Sequence, residues 1–139
     1  MLTLYHNPRC SKSRQTLDLL KSKGLTPTII DYLKNPPTAQ ELDEILKKLK
    51  MEPQEIVRTK EEVYEELGLK NKSLTRSEMI DVLIQNPVLI ERPIVVKDNK
   101  AALGRPPERV LGFLEILYFL IFCDCIRYRY IFEWIPTKK

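Results

Sequence analysis

Leu2-Thr-Leu-Tyr-His-Asn-Pro-Arg-Cys-Ser-Lys-Ser-Arg14 reads as a strand, a turn and the opening of a helix, with a cysteine where the turn meets the helix. The run Leu2 to Tyr5 is a short buried strand, and the Asn7-Pro8 pair breaks it. A helix follows from about Ser11, its core-facing stripe carried by Leu17 and Leu20 with Leu19 beside them, and Gly24 supplies a left-handed cap behind Lys21 and Lys23. Thr28 to Tyr32, rich in isoleucine, reads as a second strand. Strand, helix and strand within so short a span form a βαβ unit with a parallel pair.

Further along, two capping boxes open helices, Thr38 with Glu41 and Thr75 with Glu78. The first presents Leu42, Ile45, Leu46 and Leu49 at helical spacing; the second presents Met79, Val82 and Leu83 and stops near Asn86, because Pro87 disfavours helical geometry in the residue before it. The charged segment Thr59 to Leu67 between them predicts a short helix ended by Gly68. Ile94-Val-Val96 and Ala101-Ala-Leu103 flank the polar turn Lys97 to Lys100, the pattern of an antiparallel hairpin, and a last helix opens at Pro107. The expected fold class is α/β, a small mixed four-stranded sheet with a helical insertion at about 36–88 between its βαβ and ββα parts.

A chain of 139 residues suffices for one domain with a self-supporting core. The 23 basic and 19 acidic side chains leave a net charge of +4, too mild to point to nucleic acid, and none is expected as a partner. Cys10, Cys123 and Cys125 fit neither a disulfide framework nor a zinc site, so reduced thiols in a cytoplasmic setting are expected and no metal is. The strand begins at once, without the charged and apolar regions of a signal peptide, so export is not expected. Val110 to Cys123 is nearly all apolar but shorter than the roughly 20 residues a membrane span needs, and Glu115 interrupts it. That favours a buried helix; a membrane-surface anchor, helped by Arg127, Arg129, Lys138 and Lys139, is the sharper alternative.

At a strand-to-helix turn, free backbone N–H groups converge and the helix dipole is positive, and both favour a thiolate at Cys10. Arg9, Lys12 and Arg14 add positive charge, and Arg14 counts among the candidate oxyanion-binding residues. The same donors suit an oxyanion. A cysteine that merely packs is the competing reading, and the polar neighbours weigh against it. His6, the single histidine, is a candidate for tuning the site rather than an obligatory base, since a dipole-activated thiolate needs none. Serine at position 13 removes the Cys-x-x-Cys pair, so reducing electrons must come from another molecule.

His-Asn-Pro-Arg-Cys-Ser-Lys-Ser-Arg at 6–14, Arg58 ahead of Tyr64-Glu-Glu-Leu-Gly68, Glu91-Arg-Pro-Ile-Val-Val96 and Gly104-Arg-Pro-Pro-Glu108 together resemble the glutaredoxin-coupled arsenate reductase family over about residues 1–111. The resemblance implies a thioredoxin-like fold, Cys10 as nucleophile, His6 as the family histidine, and Arg58, Arg92 and Arg105 lining an oxyanion pocket. Arginine suits that role, because its fixed fork of donors binds oxygens in pairs and stays charged. In thioredoxin-like folds a cis proline faces the active cysteine, and the Arg92-Pro93 bond is the candidate. The implied cycle is attack of the Cys10 thiolate on arsenate, a mixed disulfide with glutathione as co-substrate, and release by glutaredoxin, with no bound cofactor. From about Gly112 the chain departs from the family pattern, so 112–139 forms an atypical apolar tail, part of the same domain or a docking segment. Two rival functions are a glutathione-dependent thiol transferase and a stress regulator contacting RNA polymerase. Ser13 argues against the disulfide switch that such regulators carry.

Overall fold

Leu4 sits at the middle of the molecule because its strand has neighbours on both sides. The computed structural model describes residues 1–112 and 114. Strand β1 (Leu2–His6) pairs in parallel with β2 (Thr28–Asp31) and antiparallel with β3 (Ile94–Lys97), and β3 continues antiparallel to β4 (Lys100–Leu103), giving the order β2-β1-β3-β4. Period-two alternation then divides the side chains between two faces. Leu4 and Val95, opposite each other in register, join Leu20, Val110 and Leu114 on one face. Ile94, with Tyr5, Val96 and Leu103 packed around it, belongs to a larger cluster on the other, built with Leu42, Ile45, Leu46, Ile56, Leu83 and Leu89. This mixed α/β arrangement is the thioredoxin-like fold.

Helix α1 (Ser11–Ser22) ends as its glycine requires: Gly24 has φ of +72°, its N–H donates to the Lys21 carbonyl, and the Leu25 N–H donates to that of Leu20, a Schellman closure. Both capping boxes form, at the heads of α2 (Ala39–Leu49) and of a longer-range partner, Arg76–Gln85. Arg76 ties the two helices together through Asp43 and reaches Glu52. The helix predicted over Thr59 to Leu67 is shorter, α3 (Glu62–Glu66), which makes Arg76–Gln85 helix α4. Its late start has a visible cause. Val57 bridges Ile90, the Arg58 N–H donates to the Leu89 carbonyl and the Glu91 N–H to that of Ile56, so the chain stays extended through Arg58. The second strand also stops one residue early, and Tyr32 turns into the core.

The stripe read on α1 forms, with Leu17 and Leu19 packed against the cluster that holds Leu20, but it is not the whole inward face. Leu20 is fully buried but Leu17 and Leu19 are only half-buried, and the positions that face inward with Leu20 are Ser13 and Thr16, both at 0% exposure. Thr16 lies against Gly104 in the loop after β4, and a small polar residue fits there. Thr16 returns its hydroxyl to the Lys12 carbonyl at 2.9 Å. A Cβ at Gly104 would lie 2.6 Å from Thr16 Oγ1 and 2.7 Å from Pro93 Cγ, one a short buried side chain and the other a fixed ring. Gly104→Ala is therefore expected to destabilise the fold by about 1–3 kcal/mol, the usual range for overpacking, read as a lower denaturation midpoint with unchanged m value.

The Arg92-Pro93 bond is cis, as expected, and so is Arg105-Pro106. Residues 109–112 are helical behind Pro107. The rest of the apolar run, Cys123, Cys125 and the expected buried or membrane-surface tail lie outside the described residues. No described helix is long and apolar enough to cross a membrane.

Candidate active site

Cys10 is the N-cap residue of α1, with φ of −89° and ψ of 122°. Its own N–H donates to the Asn7 carbonyl at 3.0 Å and its carbonyl accepts from Arg14 N–H at 3.1 Å, so the turn and the first helical bond fix the cysteine from both sides. At this position a side chain faces the free N–H groups one turn into the helix. Burial pushes the Cys10 thiol up, but the Ser13 and Lys12 N–H groups and the Arg92 guanidinium outweigh it and hold the pKa below the ordinary thiol value. No cap hydrogen bond of standard geometry closes on the sulfur, so these donors act as oriented dipoles and charge rather than as a closed cap.

A depressed thiol pKa has a definite sign. The ionised sulfur stabilises the folded state above the unfolded-state thiol pKa, and that contribution is lost as pH falls through the lower folded value. Alkylation of Cys10 by iodoacetamide is expected to titrate with a midpoint under that of a free cysteine in the same buffer; a midpoint at or above the free-cysteine value contradicts the site electrostatics.

His6 lies at the end of β1, 7% exposed. Burial lowers its pKa, Asp31 opposes this and Arg14 adds to it, and the net shift is downward, so the ring is neutral at neutral pH. Its Nδ1 shares a 2.7 Å hydrogen bond with Ser13 Oγ, and the same hydroxyl accepts the Asn7 N–H at 3.0 Å. His6 thus meets the turn through Ser13. The serine in the second cysteine's slot is a fully buried bracket between β1 and α1, a role that pattern reading of the sequence does not expose.

The four candidate arginines do not behave alike. Arg92 touches Cys10 and has Nε and Nη1 buried without hydrogen-bond partners among the described residues. Arg58, which directly follows the Val57–Ile90 bridge, is ion-paired with Glu61, yet its buried Nη1 makes no hydrogen bond of good geometry. Arg105 donates from Nε to the Arg92 carbonyl at 2.9 Å and lies 3.1 Å from Glu91 Oε2, with its side chain 39% exposed. Arg14 is exposed and donates to the Pro8 carbonyl at 2.7 Å, bracing the turn rather than meeting the Arg92 group. Arg92, Arg58 and Asn7 lie around the Tyr32 hydroxyl. Among the described residues no cluster of His, Cys, Asp and Glu is placed to hold a metal ion.

This thiol turn and its arginines fall inside a match to the ArsC family model over residues 5–113. The chain belongs to the ArsC family. The uncharacterized protein YfgD of Escherichia coli K12 is 50% identical over 109 residues, covering 78% of this chain and 92% of that protein. An arsenate reductase of Haemophilus influenzae is 46% identical over 112 residues, covering 80% and 97%. Among solved structures, an arsenate reductase from Vibrio cholerae superposes with a TM-score of 0.77 at 44% identity, covering 80% of this chain and 95% of that one. ArsC membership agrees with the fold described above and with the resemblance drawn from the four motifs.

Proposed function

We propose that this ArsC-family chain is an oxidoreductase that reduces arsenate to arsenite through a thiolate adduct on Cys10, with glutathione and a glutaredoxin supplying the electrons. The observation that carries the reading is the pair of partnerless, buried guanidinium nitrogens of Arg92 beside a cysteine whose pKa is held down. Buried cationic donors without partners are costly in an empty pocket and useful in one that receives an anion. The arsenate reductase name of the Haemophilus relative supports the choice of oxyanion.

In this reading the Cys10 thiolate attacks arsenic(V), forming the As–S bond while one oxygen leaves as hydroxide and is protonated to water. Arg92, with Arg58 and Arg105, holds the remaining oxygens and the charge that builds on them. Arg14 serves from the rim, as part of the positive field over the turn. A glutathione thiol then forms a disulfide with the Cys10 sulfur, the As–S electron pair stays on arsenic, and arsenite departs as arsenic(III). Two thiols have been oxidised and arsenic has gained two electrons. A glutaredoxin thiol attacks the glutathione sulfur and returns Cys10 as a thiolate. His6 holds the turn through Ser13 and carries no proton in the cycle. No bound cofactor is called on, and the reducing glutathione pool it uses belongs to a cytoplasmic setting.

The mixed disulfide is the step to trap. Intact mass spectrometry of reduced protein with glutathione, with and without arsenate, should show one added glutathione on Cys10 only when arsenate is present and glutaredoxin is absent. Equal glutathionylation without arsenate sinks the proposal and favours a thiol transferase.

A further inference from the structure

Tyr32 follows β2 directly, and the register His6 with Asp31 brings it to the same end of the parallel pair as the Cys10 turn. The carboxyl ends of parallel strands are where ligands of α/β sheets bind. Tyr32 is 1% exposed, and among the described residues its hydroxyl makes no hydrogen bond of good geometry, although the Arg92 and Asn7 side chains approach it. A buried hydroxyl without a partner is unfavourable and calls for one that arrives from outside the fold. Its surroundings say which kind. Burial raises the Tyr32 pKa, while Arg92, Arg58 and Asn7 beside the oxygen oppose the rise without cancelling it, so the phenol keeps its proton. Arg92 Nε and Arg92 Nη1 share the same lack, and Arg58 Nη1 has only its ion pair with Glu61. Three buried donors without a well-formed hydrogen bond, the Tyr32 hydroxyl and two Arg92 nitrogens, stand together near Arg58, and an acceptor-rich ligand satisfies them all.

We propose that the Tyr32 hydroxyl is a substrate-binding donor that completes, with Arg58 and Arg92, a cradle for a tetrahedral oxyanion. The inference rests on the oxyanion-reductase reading and adds to it a neutral, directional donor on a rigid ring that reaches the pocket from the β2 side. Arginines alone supply charge; a phenol adds a hydrogen bond whose direction is set by the packed ring.

The test is protection of Cys10 from iodoacetamide by arsenate, without glutathione, in the native chain and in Tyr32→Phe, together with each protein's unliganded melting temperature. Tyr32→Phe should need at least about tenfold more arsenate for half protection, the range for losing one hydrogen bond to a charged group, and its pH profile of alkylation without arsenate should match the native one. Its unliganded melting temperature should be unchanged or higher, since the removed hydroxyl makes no well-formed hydrogen bond in the fold. Equal protection of both proteins overturns the role of Tyr32 and leaves the reductase reading standing. A clear fall in unliganded melting temperature also overturns it, because the hydroxyl would then be structural. Absence of arsenate protection in the native chain removes both the reading and the inference.

Discussion

Cys10→Ser is expected to abolish arsenate-dependent turnover, a loss on the order of 10³-fold or more, while the protein keeps its fold. The substitution exchanges a thiol whose pKa lies below the ordinary thiol value for a hydroxyl that stays protonated at any working pH. It leaves the backbone donors of Lys12 and Ser13 and the Arg92 guanidinium in place. Serine is also a favourable N-cap residue, better able than cysteine to accept the free N–H groups of the first turn, so the variant should melt at or slightly above the native temperature. Measured together, lost turnover and retained stability separate a chemical role from a packing one. Residual turnover within tenfold of native would mean that another group carries the reaction.

Arg92→Ala is expected to lower kcat/KM for arsenate by about 10²–10³-fold, the range for removing one preorganised donor from an oxyanion site. Two mechanisms contribute and they can be read apart. The guanidinium helps to hold the Cys10 pKa down, so its loss should move the alkylation midpoint upward, and part of the rate loss near neutral pH should return as pH rises. The remainder is lost oxyanion binding and should persist at every pH. Arg92→Lys restores a charge without the fork of donors, and it should recover the thiol pKa better than it recovers kcat/KM. A rate loss that disappears entirely at high pH would leave Arg92 only the first of these roles.

Local pattern carries much of this fold. The capping boxes at Thr38 and Thr75 and the glycine stop at Gly24 can be read from a few adjacent residues, and all three form as read. The βαβ start and the hairpin follow from runs short enough for alternation and turn chemistry to decide, and the cysteine's place at the helix N-terminus follows from them. What escapes such reading is set by contacts distant in the chain. Ser13 and Thr16 are buried because Ser13 meets His6 and Asn7 and Thr16 meets Gly104, a packing that hydrophobic periodicity treats as a polar face. Arg58 is held in extended chain because Val57 bridges Ile90, which also shortens α3. Tyr32 reads as the tail of a strand, and only the fold shows its hydroxyl beside two arginines. The arginines themselves enter through whole-motif resemblance, and the structure then separates Arg92, partnerless and touching the thiol, from Arg14, which braces the Pro8 carbonyl.

The most direct measurement of the central proposal is arsenate-dependent NADPH consumption by the native, reduced chain in a coupled assay with glutathione, glutaredoxin and glutathione reductase. The proposal predicts consumption that saturates with arsenate, requires glutathione and glutaredoxin, and yields one arsenite per NADPH oxidised. Folded protein with a reactive Cys10 and no arsenate-dependent consumption would contradict it.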